Sequence, residues 1–360
     1  MAGDPEGAIE HARKALAANP NYPDAMNWLF NALWALGHYE ESYAALEQML
    51  VIDPLTVIGR ANYIALLVER RQSEEAHEMA DQLLAQSPLW GYFAHADTSL
   101  IEGKIAESLY WGLKHGREMG QLGHFAIVAF NLVGEYDEAR RDNDDIQAIF
   151  VDIDQGNFDD AIRKAQQYLR LNPDNEYAIR TAADAFYTAG HLDEALTLCE
   201  RMVEFVPQGR PISAEKFPLA WTMRLALARR NAGDEEGAQA AAQIARQDYA
   251  ARRAAGRKDP EQHWAKAMIA AFEHDRDRAI AALRSAIQHG LRDPLVFDDH
   301  IFENLWDEPR FIALQQELDA MLAEEHEKVL QLICFNNPVP DHWQPLPETC
   351  EGVVEQGQLF

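Results

Sequence analysis

Pro20, Pro54 and Pro88 stand 34 positions apart, and Pro173 to Pro207 spans the same interval. A period of that length restricts the chain to a stack of supersecondary units, each of which buries its apolar face only against its neighbours. A second ruler runs beside the first. The phrase Gly-x-x-x-x-Ala/Ser occurs at Gly3–Ala8, Gly37–Ser42, Gly134–Ala139, Gly156–Ala161, Gly190–Ala195 and Gly233–Ala238. Its glycine ends one helix by taking the left-handed conformation cheaply. The residue two places on (Tyr39, Tyr136, Phe158, Leu192) plugs the turn. Acids follow in the first turn of the next helix, where the dipole favours negative charge. The Ala or Ser lets two helices approach closely, and the proline stops the second helix.

Apolar residues recur at helical spacing. Trp28, Leu29, Leu33 and Leu36 form one face, and Leu46, Met49 and Leu50 its partner. No stretch alternates with period two, so almost no strand is expected. Together, period, glycine, alanine and proline resemble the tetratricopeptide repeat, a 34-residue helix–turn–helix unit. The resemblance implies an all-α, right-handed solenoid of tandem repeats, closed by a capping helix and an irregular tail.

The spacing divides the chain into an N-terminal array (1–141), a C-terminal array with capping helix (142–333) and a proline-rich tail (334–360). The first helix, Pro5 to Ala18, is the second half of a unit without its mate. Full units follow at Asn21–Pro54 and Leu55–Pro88. Arg71 replaces the turn glycine of the latter, which predicts a less regular turn. Leu89–Met119 reads as degenerate, with a first helix two residues short, and Gln121–Arg141 as abbreviated. Asp142–Pro173 and Asp174–Pro207 are regular, and Gln208–Phe217 is an insertion. Further units cover Leu219–Gly256 and Pro260–Gly290. A more polar helix, Pro309–Leu332, caps the array. The tail carries four prolines and is expected to be extended, packed on the last helices or loose.

With 32 Lys+Arg against 59 Asp+Glu, the formal charge is −27. That argues against a phosphate-binding stripe for DNA or RNA and against an anionic membrane surface. It favours a neutral or basic partner. Cys199, Cys334 and Cys350 are far apart and form no CxxC pair, which fits a reducing compartment. Neither a signal peptide nor a membrane-spanning run is visible, so the chain is expected to be soluble and cytoplasmic.

No nucleotide-binding loop, zinc-protease motif or nucleophile elbow occurs, so neither enzyme activity nor a cofactor or metal is expected. Asp298-Asp299-His300 reads as a solvated loop, the run Asp142–Asp145 as helix starts or turns, His115 and His124 as core or surface histidines, and Cys199 as a core thiol. In a tetratricopeptide array the first helices line the concave face. The resemblance places Asn27, Asn31 and Trp34, then Asn62 nearby, and Tyr177, Arg180, Asp184 and Tyr187 there. These residue types suit a groove that hydrogen-bonds a peptide. Asn31 and Asn62 match two positions of the clamp with which some family members grip chaperone C-termini. The leading Lys is replaced by Asn27 and the third unit lacks its cations, so that clamp is not expected.

The expected function is therefore a scaffold for a protein or peptide on the concave surface. An alternative is the regulatory arm of a larger bacterial signalling protein. The unpaired first helix suggests it. So does the close, Pro294-Leu295-Val296 followed by Trp306–Phe311, which resembles repeat arrays of class III nucleotide cyclases and winged-helix regulators.

Overall fold

The computed structural model describes residues 5–141, 146–204, 206 and 218–357. The expected insertion Gln208–Phe217 and the run Asp142–Asp145 lie outside the described residues. Helix α1 (Pro5–Ala18) packs against the helix that follows it, Ile9 meeting Ala32, Leu33 and Leu36. Hairpins follow: α2 (Pro23–Ala35) with α3 (Tyr39–Ile52), α4 (Val57–Glu69) with α5 (Ser73–Gln86), and α6 (Pro88–Ile101) with α7 (Ile105–Met119). The middle is shorter, with α8 (His124–Val133), α9 (Tyr136–Arg140) and α10 (Gln147–Asp154) leading into α11 (Phe158–Leu171). Then come α12 (Glu176–Thr188) with α13 (Leu192–Val203), α14 (Pro218–Asn231) with α15 (Glu235–Ala254), and α16 (Pro260–Phe272) with α17 (Arg276–Gln288). Two 3₁₀ helices, Pro294–Phe297 and His300–Leu305, precede the long α18 (Pro309–Phe335). No strand occurs among the described residues.

One hydrogen bond repeats through the turns. The amide just past the left-handed residue reaches back to a carbonyl five residues earlier: His38 to Leu33, Gln72 to Leu67, Lys104 to Ser99, Glu135 to Phe130, Asn157 to Asp152, His191 to Phe186, Asp234 to Arg229 and Asp275 to Ala270, each at 2.8–2.9 Å. This is the Schellman closure of a helix end. Glycine holds the left-handed position in six of these turns. Arg71 (φ 62°) and His274 (φ 59°) hold it in the other two. The turn at Arg71 is therefore as regular as the rest, contrary to the sequence expectation. Its strain is offset by a bond from the Arg71 guanidinium to the His289 carbonyl, 2.9 Å away. Helix α6 is likewise full length, so the stretch after Leu89 is a regular hairpin.

The small-residue slot behaves as the sequence required. Ser42, Ala76, Ser108, Ala139, Ala161, Ala195, Ala238 and Ala279 are all 0% exposed. The two serines are satisfied across the hairpin, Ser42 Oγ donating to the Phe30 carbonyl and Ser108 Oγ to that of Ala96, both at 2.8 Å.

The array does not stay open. Its far half folds back onto the turns of its near half. Tyr39 Oη donates to Asp248 (2.8 Å), and the Lys258 amide to the Glu69 carbonyl (2.7 Å). The buried Arg257 pairs with Asp259 (2.9 Å) and Glu261 (3.3 Å) and lies 3.6 Å from Glu69. Gly290 lies so close to Ile101 that an added Cβ would stand 2.3 Å from its carbonyl oxygen. Farther along this seam, α18 packs across α7 and α8. Glu325 caps the α7 start by accepting from the Ala106 amide (2.9 Å), and His326 pairs with Glu135 (2.6 Å). One core runs from Ile105 to Trp343.

The tail is packed and cross-linked. Cys334, at the end of α18, and Cys350 form a disulfide. This corrects the expectation drawn from their separation in sequence. The tail turns back over α18, and that path, not the interval of sixteen residues, brings the two sulfurs together.

Candidate interaction surface

Helices α2, α4 and α12 contribute the expected inner-face residues. In the near half three of them converge. Asn31 Nδ2 donates to the Asn27 carbonyl (2.7 Å), and Asn62 Nδ2 donates to Asn27 Oδ1 (2.9 Å). The three amides thus form a half-buried polar seat across α2 and α4. Trp34, one turn beyond Asn31 on the same helix, meets the Tyr39 ring edge-on at 6.3 Å. Trp28, on the same helix, is 50% exposed.

In the far half the expected residues part company. Arg180 lies over the Tyr177 ring at 4.7 Å, and both side chains are half-buried. Asp184 and Tyr187 are engaged internally. Asp184 accepts from Arg224 Nη1 (2.7 Å), and Tyr187 Oη donates to Asp299 Oδ1 (2.7 Å). Tyr187 is 1% exposed, and burial pushes its phenol well above the ordinary range. Arg224 completes the network with Asp299 Oδ2 (3.1 Å) while its guanidinium covers the Tyr187 and Trp221 rings at 4.6 and 5.1 Å. Asp299 also caps the second 3₁₀ helix through the Ile301 amide (3.0 Å). Asp299 and His300 are therefore packed against α12 and α14 rather than in a solvated loop, whereas Asp298 is exposed. His300 lies beside Gly190 and edge-on to Tyr187.

Sequence reasoning did not find Arg224 or Asp299. Arg224 falls outside the family's groove positions, and Asp299 belongs to a stretch with no repeat. Around them the lining is acidic. Asp154, at the end of α10, is held well above the usual carboxylate range by burial and then by the charges of Asp293 and Asp184. Asp293 is solvent-exposed and accepts from the Leu295 amide (2.9 Å). Carboxylates crowded in this way favour a counter-cation.

Cys199 is buried on α13, and burial pushes its thiol up to about 12, as suits a core residue. His115 is half-buried against Phe93 and Phe125. Among the described residues, no three His, Cys, Asp or Glu side chains group as a metal site would require. No described helix is long and apolar enough to cross a membrane.

Hairpin after hairpin with one turn geometry and one small-residue slot defines an α-helical tandem-repeat protein. The family model described as tetratricopeptide repeat matches residues 1–56 and 152–214, about a third of the chain, and those two stretches carry repeats of that family. No curated protein matches the sequence. Among solved structures, the chain is similar to one in the APC/C hetero-tetramer Cut9–Hcn1, at 16% identity and a TM-score of 0.45, over 86% of this chain and 59% of that one. It is also similar to a tetratricopeptide repeat protein from Parabacteroides merdae (12% identity, TM-score 0.30, 89% of this chain and 99% of that one). Yeast Tom70 is a third (11%, 0.29, 94% and 80%).

Proposed function

We propose that this chain is an interaction scaffold whose inner helical face binds a peptide or protein segment of neutral or basic character. The observation that carries the reading is the convergence of Asn27, Asn31 and Asn62 into one polar seat beside Trp34. Amide side chains there offer donors and acceptors suited to an extended backbone, and the indole adds an apolar contact. The acidic lining at Asp154 and Asp293 supports the sign of the partner's charge. Within this reading Tyr177 and Arg180 extend the contact surface, whereas Asp184 and Tyr187 hold its wall through Arg224 and Asp299. The disulfide favours a setting in which such bonds persist, outside a reducing cytosol.

Selection from a displayed library of 12-residue peptides tests the proposal. Captured sequences should be enriched in Lys and Arg. Their binding should fall at least tenfold on the Asn31→Ala/Arg180→Ala double variant. Equal capture by both proteins would rule out this groove.

A further inference from the structure

The C-terminal segment after α18 has the construction of a fastened strap. It lies outside the repeat, and its hold on the array is concentrated at three places. Trp343 is buried against Phe130, ring centroids 5.6 Å apart, with the Arg141 guanidinium 5.5 Å above it. Glu138 of α9 is 0% exposed. Its Oε1 accepts from the Leu346 amide (2.6 Å) and the Thr349 hydroxyl (2.9 Å), and its Oε2 from Arg141 (2.9 Å). Gln331 of α18 grips the strap backbone at both ends of its amide, donating to the Val354 carbonyl (2.7 Å) and accepting from the Gln356 amide (2.9 Å).

The disulfide lies between the second and third of these places. Cys350 follows Thr349 directly, so the bond to Cys334 pins the strap where it satisfies Glu138. Both half-cystines are half-buried, within reach of a small thiol. Without the cross-link, the contacts just named oppose the entropy of the released segment, together with the Arg141 bond to the Gln344 carbonyl (2.7 Å), the Asn336 bond to the Gly357 carbonyl (3.3 Å) and the buried Val339. Glu138 does not forbid the opening, because a carboxylate that loses its strap partners becomes exposed to water as the strap leaves.

We propose that Cys334–Cys350 is a redox latch, and that reduction by a dithiol releases the strap from α8, α9 and α18. The dithiol's two sulfurs close into a disulfide of their own. Two electrons pass to the Cys334–Cys350 bond, and the dithiol's two protons end on the two cysteine thiols. A cross-link across an interval of sixteen residues restrains the open state enough that its loss raises the open population on the order of 100-fold. The released state uncovers Phe130, Glu138 and Arg141 on the α8–α9 face. This inference stands independently of the peptide groove.

Hydrogen exchange read by mass spectrometry, on the full chain with and without dithiothreitol, tests the latch. Alkylation after reduction should add two groups, because Cys199 is buried. On reduction, the Leu346 and Gln356 amides, which donate to Glu138 and Gln331, should exchange on the order of 100-fold faster, while α16 and α17 keep their rates. Cys350→Ser should show the fast exchange without reductant and no further response to it. Unchanged exchange in the strap after confirmed reduction would overturn the proposal. So would equal acceleration in α16 and α17, which would mean general unfolding.

Discussion

Tyr39 and Asp248 are 209 residues apart in sequence, yet the tyrosine hydroxyl donates to the aspartate at 2.8 Å inside the protein. Asp248 also accepts from Arg252 Nε at 2.7 Å, and both side chains of that ion pair are almost wholly buried. Burial, opposed by Arg252, raises the tyrosine's pKa beyond the ordinary range, so it remains a donor through neutral pH. The seam between the two halves thus rests on a buried network in which Arg252 Nη2 finds no hydrogen-bond partner. Such networks are costly to break from one side. Asp248→Ala should lower unfolding stability by about 3–5 kcal/mol, because it strands Arg252. Tyr39→Phe should cost only about 1 kcal/mol. Chemical denaturation followed by circular dichroism checks both, and equal effects would show that Asp248 is not the hub.

The two non-glycine turns differ in their contacts: His274 makes a long contact with Asn304 (3.4 Å), whereas Arg71 donates across the seam to the His289 carbonyl (2.9 Å). His274→Gly should stabilise the protein by about 1 kcal/mol, since it relieves a left-handed residue. Arg71→Gly gives the same relief but removes the bond to the His289 carbonyl, so its net effect should be near zero. Thermal melts of the two variants decide this. A gain at Arg71 as large as that at His274 would mean that the cross-seam bond contributes nothing.

His263 and His289 lie 4.3 Å apart, ring to ring. Burial, and then the neighbouring His289, lowers the His263 pKa to about 4. The native state therefore binds this proton less readily than the unfolded chain. The resulting stability is fully present above about pH 6.5, and it is lost as pH falls towards 4. It amounts to about 1 kcal/mol, since solvent screens the half-exposed ring. The stability difference between wild type and His263→Gln should shrink over that interval. A difference independent of pH would show that the ring stays neutral for another reason.

Asp154 is the reverse case. Its raised pKa means that deprotonation costs the folded state, so neutral pH is its unfavourable side. Asp154→Asn should raise stability at pH 8 by about 1 kcal/mol and leave it unchanged at pH 4. The same variant should weaken capture of Lys-rich peptides by the groove. Stabilisation at pH 8 without any loss of capture would detach Asp154 from the binding surface.

How far the sequence foretold this depends on whether a feature repeats. The limits of α1, the small-residue slot and most turns follow from local spacing, because each satisfies its neighbours alone. Asn27, Asn31 and Asn62 were expected from the family's groove and clamp positions, and their amides meet in the structure. Arg224, Asp299 and the Asp248 network were not, because their partners come from different turns of the coil or from non-repeat segments. Cys334 and Cys350 gave no sign of pairing either, since only the fold-back of the tail joins them. Arg71 misled for a related reason. Judged within its own turn it is a poor residue, and its compensation lies at His289.

The seam also bears on how such a chain can change in copy number. An open solenoid can lose or duplicate a unit with only nearest-neighbour consequences. Here, excising one hairpin between α4 and α15 would bring Tyr39 level with the wrong helix, away from Asp248, and would carry Arg71 away from His289. The loop-to-loop contacts at Gly290 would fail with them, since nothing larger fits against Ile101. The number of units is thereby set by the geometry of the whole coil, and lengthening or shortening it demands coordinated change on both sides at once.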